Sequence, residues 1–179
     1  PLKRRRAMYS HKYIGELSGE LVVGGREVSF ARESSYGLID IHKGYYPYVM
    51  KWHWATGGAK TGDGGLCGFN LTDNQVTDQE NYNENCVWKD RRLHLLPPVR
   101  FHFDGADILK PWHITDNHGT IELTFTPQTV RTVDINAGLI ASHYRGPFGL
   151  FSGRIELPTG EQLHIENYMG MCEDFYLRS

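Results

Sequence analysis

The sequence predicts an all-β protein whose antiparallel strands follow one another in up-and-down order and form a barrel or a strongly curled sheet. Three observations predict this class. Apolar and polar residues alternate along most of the chain, turn residues interrupt the alternation at short intervals, and no helical periodicity extends beyond two turns. The 20 glycines and the 12% aromatic content suit a twisted sheet with tight turns. A β-sandwich is the alternative architecture.

The length of the chain, 179 residues, fits a single domain. Residues 1–12 are basic and without periodicity, which predicts a linker or strap, and residues 13–179 are predicted to form one β-barrel domain. The chain begins with proline rather than an initiator methionine, so we expect it to be part of a longer protein.

Composition argues against several classes of function. The net charge of −2 provides no overall field to attract nucleic acid or an anionic membrane. No apolar run approaches the roughly 20 residues that a membrane span requires. The three cysteines, Cys67, Cys86 and Cys172, are far apart and form no CxxC pair, which predicts a reduced, cytoplasmic protein.

Turn residues divide the chain into short strands. Gly24 and Gly25 predict a hairpin between strands at Tyr13–Val23 and Arg26–Ala31. Further strands are predicted at Leu38–His42, Met50–Thr56, Leu66–Leu71, Glu84–Trp88, Leu93–Leu96, Val99–Phe103 and Thr120–Pro127, with Gly57–Gly65 as a connection. In the last third, turns at Gly146-Pro147, Pro158–Gly160 and Gly170 predict four strands, at Leu139–Arg145, Phe148–Leu157, Gln162–Met169 and Cys172–Leu177.

The densest polar cluster is Asp78–Asn85. If this segment is extended, Glu80, Tyr82 and Glu84 share one face, because side chains alternate along a strand. A carboxyl group among aromatic side chains in a partly dry cavity can donate a proton near neutral pH, which makes Glu84 a candidate general acid. The competing interpretation is a solvated loop whose side chains bond the local backbone. Asn85, next to Glu84, is a candidate ligand-binding residue.

A second cluster combines acidic, basic and aromatic residues over Asp40–Trp54. Asp40 and His42 lie two residues apart on one strand, so an imidazole supported by a carboxylate is a candidate general base. Asp40 and His53 are candidate catalytic residues. Candidate ligand-binding residues are His42, Tyr45, Trp52, Trp54, Asn70 and His143. The competing interpretation places the tryptophans in the core and turns His53 and Lys51 toward water.

No metal or cofactor is predicted. His42, His53, His94 and His143 could converge across strands, but no metal-binding spacing such as HExxH or a Cys/His tetrad occurs. Motifs for a nucleophile elbow, a phosphate loop and a dinucleotide fold are also absent from the sequence. The carboxylates near the carboxyl end of the chain, Glu166, Glu173 and Asp174, lie on the last predicted strands, and the alternation does not decide which face they occupy.

Six short motifs in order resemble the family catalogued as domain of unknown function 2804. They are Asp40–Pro47, Trp52–Ala55, Gly68–Leu71, Asn83–Trp88, Leu95–Phe101 and Phe148–Gly153. The resemblance runs from about Tyr9 to the end and corresponds to the C-terminal half of proteins about twice this length, which implies a preceding N-terminal barrel. It implies no activity. More distantly, the layout resembles two-lipocalin-domain proteins of the carotenoid hydratase type, which implies a lipocalin-like (calycin) barrel with an apolar ligand inside.

Three functions follow as hypotheses. The first is a binding module that holds an apolar or isoprenoid-like small molecule among Trp52, Trp54, Tyr45, Tyr46 and Phe69 in the barrel cavity. The second is an acid–base enzyme, a hydratase, isomerase or cyclase, in which Glu84 or Asp40 protonates an apolar unsaturated substrate. The third is a structural half-domain that packs against an N-terminal barrel of the same protein or a second copy of this chain.

Overall fold

The computed structural model describes residues 7–62 and 64–179. Thirteen strands and one helical turn are found in this part of the chain. The elements are β1 (Met8–Glu16), β2 (Gly19–Val23), β3 (Arg26–Phe30), β4 (Tyr36–Gly44), β5 (Val49–Lys60), β6 (Leu66–Asp73), α1 (Gln79–Tyr82), β7 (Cys86–Lys89), β8 (Arg92–Leu95), β9 (Val99–His102), β10 (Trp112–Asp116), β11 (Ile121–Ala137), β12 (Ile140–Glu156) and β13 (Gln162–Arg178). The basic start of the predicted linker, residues 1–6, lies outside the described residues.

Nine strands form one antiparallel sheet in the order β8-β7-β6-β5-β13-β12-β11-β10-β9. Strands that follow one another in the chain are neighbours within β5–β8 and within β9–β13, and β13 returns to pair with β5. The sheet therefore runs in up-and-down order around a curl, with β8 and β9 as its edges. The predicted fold class, an all-β barrel or strongly curled sheet, is confirmed.

The seam of the curl lies at the prolines between β8 and β9. Proline lacks the N–H that a ladder hydrogen bond needs, so Pro97 and Pro98 interrupt the pairing where closure would occur. Side chains bridge the seam instead. Asn85 Nδ2 donates to the carbonyl of Pro97 at 2.9 Å, and Arg100 Nη1 lies 3.3 Å from Asp73 Oδ1.

The concave face of the sheet carries the hydrophobic core. Its largest buried side chains are Trp112, Phe125, Phe151 and Phe69, each at most 1% exposed. Phe69 of β6 meets Phe151 of β12 edge-on across the curl, with ring centroids 5.0 Å apart. On neighbouring strands, Phe125 lies 4.5 Å from Phe151, and Trp112 stacks on Phe103 with centroids 3.9 Å apart. The concave side of the sheet is thus filled by these side chains.

A two-stranded ribbon of β1 and β4 crosses the outer face of β5 and β6. Ile14 of β1 inserts over two glycines, since a Cβ atom added to Gly58 or Gly68 would lie 2.9 or 2.2 Å from Ile14 Cδ1. Only glycine permits this close approach. Strand β5 continues to Lys60, paired with β6, and does not end before the predicted connection at Gly57–Gly65.

The ribbon corrects one expectation about the start of the chain. Strand β1 begins at Met8, inside the stretch 1–12 that was predicted to lack regular structure. Its pattern of Met8, Ser10, Lys12 and Ile14 on one face has period two, but the polar members hide the alternation. Pairing with β4 over its whole length stabilises β1.

Two predicted turns are wrong, because Gly146-Pro147 and Gly170 lie inside the 17-residue strands β12 and β13. A Cβ atom at Gly170 would lie 2.0 Å from the carbonyl oxygen of Thr56, so this glycine permits close approach of two strands. Pro147 pairs with Val130 close to the irregularity between Pro127 and Thr129, where the ladder tolerates a missing donor. The predicted hairpin at Gly24-Gly25 and the turn at Pro158–Gly160 are confirmed.

Candidate functional site

A cavity of about 380 Å³ lies between the ribbon and the outer face of the barrel wall. Alternation along β5 decides which residues reach it: Trp52 and Trp54 turn outward, while His53 and Ala55 turn toward the core. The residues that line the cavity are Met8, Lys12, Asp40, His42, Tyr46, Met50, Trp52, Trp54, Thr72, Asn74, Gln75, Glu84, Glu173 and Leu177.

One wall of the cavity is apolar and aromatic. Trp52 packs edge-on against Phe175, with ring centroids 4.3 Å apart, and its Nε1 donates to Glu173 Oε2 at 3.0 Å. Trp54 is 8% exposed, and its Nε1 donates to Asn70 Oδ1 at 2.6 Å. Both indole N–H groups are therefore satisfied, and the two rings are held in fixed positions.

A network of charged side chains lies where the ribbon meets the barrel wall. Lys12 Nζ lies 3.0 Å from Asp40 Oδ2 and 3.3 Å from Glu84 Oε2, and 4.9 Å from the ring centroid of Trp54. His42 Nε2 lies 2.9 Å from Asp40 Oδ1 and 3.8 Å from Glu84 Oε2. The Lys12 side chain is only 7% exposed, so this ammonium is held by carboxylates and an indole ring instead of water.

The neighbours of Asp40 set its charge state. Burial disfavours the charged form, but the hydrogen bond from His42 and the charge and hydrogen bond of Lys12 outweigh it, so the pKa of Asp40 is lowered from its usual value. Asp40 is thus an anion that orients His42 through Nε2. Glu84 accepts a hydrogen bond from Ser10 Oγ at 2.8 Å in addition to its contact with Lys12.

Two asparagines support the site from behind. Asn70 Nδ2 donates to the Glu84 carbonyl at 2.8 Å, and Asn85 Oδ1 accepts from the backbone N–H of Thr72 at 2.6 Å. Both asparagines are 0% exposed. They hold the end of β6 against the segment that carries Glu84.

The alternation expected for Asp78–Asn85 is wrong, because Gln79–Tyr82 form a helical turn capped by Asp78. Glu80 and Tyr82 are exposed, and Glu84 alone among the three lines this cavity.

The structure brings together five of the predicted site residues: Asp40, His42, Trp52, Trp54 and Glu84. Three others lie elsewhere. Tyr45 is 80% exposed, and its neighbour Tyr46 lines the cavity instead. His143 is on the long β11–β12 hairpin, where its Nδ1 lies 2.7 Å from Asp134 Oδ1.

His53, the third of these, lies on the concave side of the sheet with a separate ion-pair network. Its Nε2 is 3.3 Å from Asp174 Oδ1, and Asp174 also binds the guanidinium of Arg145, with Nε at 3.0 Å. The hydrogen bond from His53 and those from Arg145 lower the pKa of Asp174 from its usual value, against the opposing effect of burial.

The lowered pKa of Asp174 predicts an acid-sensitive contribution to stability. The pKa of Asp174 is lower in the folded state than in the unfolded state. Its ionised form therefore stabilises the fold fully above about pH 4, near the ordinary pKa of an aspartate. This stabilisation is lost as the pH falls through the pKa of the folded state. We expect Asp174→Asn to lower the free energy of unfolding by about 1–2 kcal/mol at neutral pH. This difference should shrink on acidification in urea titrations. Glu27→Gln, in the exposed strand β3, is the control, and an equal loss in that variant would contradict the assignment.

Several lining residues were not predicted from the sequence. Lys12 lies in the stretch interpreted as a linker, together with Ser10, which donates to Glu84 without lining this cavity. The spacing of both from Ile14 was the signal that could have placed them on a strand face. Thr72 and Leu177 carry no sequence signal of function. Glu173 is one of the carboxylates whose face the alternation left open.

The cysteines take no part in this cavity. Burial raises the pKa of Cys86 to about 12 and also raises those of Cys67 and Cys172, so all three remain thiols.

Within residues 7–62 and 64–179, no three His, Cys, Asp or Glu side chains are arranged to bind a metal ion. In the same part of the chain, no helix combines the length and apolar character that crossing a membrane would require.

The geometry can be set beside known proteins. A family model described as "Domain of unknown function (DUF2804)" matches residues 1–178. The chain is a DUF2804 member. No curated protein and no solved structure matches this DUF2804 chain, so the distant resemblance to two-lipocalin-domain proteins stays a prediction. Family membership assigns no chemistry to this chain.

Proposed function

We propose that this DUF2804 chain binds a small, largely apolar molecule in the cavity under the ribbon. The observation that carries the proposal is the composition of the cavity walls. Trp52, Trp54, Met50 and Leu177 provide an apolar surface, and the charged network around Lys12 provides a few fixed polar groups. A mostly apolar concave site with a small number of oriented polar groups is typical of small-molecule binding sites.

The volume of the cavity limits the ligand. About 380 Å³ is near the lower end of the range for small-molecule sites, which suits a short isoprenoid-like or alkyl chain. A second hollow adjoins the first, and the two share Met8, Lys12 and Glu84. The second hollow is also lined by Cys86, Trp88, Leu93 and Leu95. A longer apolar chain would extend into it past the Lys12–Glu84 pair.

A cavity-filling variant tests the proposal. Leu177→Trp places an indole in the cavity, and we expect it to weaken binding of the apolar fluorophore N-phenyl-1-naphthylamine by at least about tenfold, as measured by fluorescence titration. The matched control is Leu139→Trp, because Leu139 is 79% exposed at the tip of the β11–β12 hairpin. Equal affinity in the two variants, or no binding to the unaltered chain, would contradict the proposal.

An acid–base enzyme is the second candidate, and the Asp40–His42 pair favours it. A carboxylate that orients an imidazole beside an apolar cavity is an arrangement suited to proton abstraction. The lowered pKa of Asp40 suits this supporting role better than the proton-donor role first considered for it. If a ligand that co-purifies with the chain exchanges hydrogen for deuterium in deuterium oxide, His42→Gln should abolish the exchange. Exchange at an unchanged rate in that variant would exclude His42 as the base.

A further inference from the structure

Among the described residues, one carboxylate of the cavity has no cationic partner. Asp40 and Glu84 face Lys12, but the third carboxylate, Glu173, has no Lys, Arg or His nitrogen within 4.0 Å among residues 7–62 and 64–179. The groups that donate to Glu173 are neutral: the indole N–H of Trp52 and the hydroxyl of Tyr144. Burial and the nearby Glu173 charge raise the pKa of Tyr144, so its hydroxyl keeps its proton.

A second polar group in the cavity also lacks a partner. Thr72 lines the cavity and is 9% exposed, and its Oγ1 is buried without a hydrogen-bond partner within the described ranges. A buried hydroxyl without a partner costs free energy, so native proteins usually satisfy such groups. Because this oxygen is itself buried, a ligand in the cavity does not reach it, and Glu173 is left as the unbalanced group that a ligand can pair.

The chain already binds one ammonium group in this cavity. Lys12 Nζ lies between two carboxylates and above the Trp54 ring, 4.9 Å from its centroid. Glu173 and Trp52 offer the same two kinds of group, a carboxylate and an indole, on the neighbouring wall. Because Lys12 is already paired twice, an anionic ligand would find no unpaired ammonium here and would meet the charge of Glu173.

We infer that the ligand is an organic amine with an apolar tail, whose ammonium group binds Glu173 beside Trp52. This inference rests on the proposed function and adds the charge of the ligand. The tail lies along Met50 and Leu177. Electrostatic attraction to Glu173 and the ring face of Trp52 both favour a cation over a neutral or anionic head group.

Three probes with eight carbon atoms each test the inference: octylamine, octanol and octanoate, titrated calorimetrically into the unaltered chain at neutral pH. We expect octylamine to bind at least about tenfold more tightly than octanol, which corresponds to about 1.4 kcal/mol, and octanoate to bind most weakly. Glu173→Gln should remove the preference for the amine while octanol binds as before. Glu166→Gln, an exposed Glu on the same strand, is the matched control and should leave the preference intact.

The outcomes separate the two proposals. Equal binding of octylamine and octanol to the unaltered chain, or a preference for the amine that survives in Glu173→Gln, would overturn the assignment of Glu173 and leave the apolar cavity in place. Failure of all three probes to bind would overturn the proposed function itself. Should Glu173→Gln fold poorly, as judged by its melting temperature, Glu173→Asp retains the charge and should retain the preference for the amine.

Discussion

Substitution of Trp112 by alanine is expected to lower the free energy of unfolding by about 3–5 kcal/mol, the range for removal of a large buried aromatic side chain. Trp112 is 0% exposed and lies at the centre of the aromatic core. It stacks on Phe103, meets Phe101 and Phe125 edge-on, and donates from Nε1 to the carbonyl of Ile108 at 3.1 Å. Its removal leaves a large cavity and breaks aromatic contacts with both neighbouring strands.

Urea-induced unfolding followed by circular dichroism measures this effect. The control is Phe148→Ala on β12, whose side chain is 37% exposed and should lose less than about 1.5 kcal/mol. If Trp112→Ala cost no more than the control, the concave face would not be the core, and a ligand inside the barrel would again have to be considered.

The second large effect is expected at Lys12. Lys12→Met keeps most of the apolar stem but removes the ammonium, which leaves Asp40 and Glu84 beside each other without their shared cation. Breaking a buried ion pair by removal of one partner costs about 3–5 kcal/mol, and the partial exposure of Asp40 and His42 reduces this to about 3 kcal/mol. We expect the ribbon to loosen from the barrel wall before the barrel itself unfolds.

Two further variants make this prediction specific. Lys43→Met removes a lysine from the exposed face of the same ribbon and should change the free energy of unfolding by less than about 0.5 kcal/mol. Lys12→Met combined with Glu84→Gln should recover part of the loss, because it removes one of the two unpaired charges. Hydrogen exchange of the β1 and β4 amides provides the local readout, and unchanged protection in Lys12→Met would contradict a role for Lys12 in holding the ribbon.

The cavity that we propose as the binding site does not lie inside the barrel. The core fills the concave side, and the cavity lies on the opposite face, closed by strands that precede the barrel in sequence. Binding would therefore couple to attachment of the ribbon rather than to opening of the barrel. A ligand that contacts both the ribbon and Trp52 would stabilise their association by mass action.

Sequence reasoning alone predicted the fold class and two pairs of residues that share a strand face. Alternation is a local property with period two, so it was enough to place Asp40 with His42 and Trp52 with Trp54 on shared faces. Local turn chemistry also identified the hairpin at Gly24-Gly25. The turn predicted at Gly170 was wrong, because glycine occurs both in turns and where a second strand approaches closely. Only the position of Thr56 on the neighbouring strand distinguishes the two cases.

Only the tertiary structure decided which face of β5 meets the core and which meets the ribbon. Both faces of this strand carry buried residues, and alternation says which residues share a face but not what that face contacts. The deciding contacts join residues far apart in the chain, such as Ser10 with Glu84 and Trp52 with Glu173. These contacts form because the ribbon packs against the barrel wall, and that packing depends on the shape of the whole sheet.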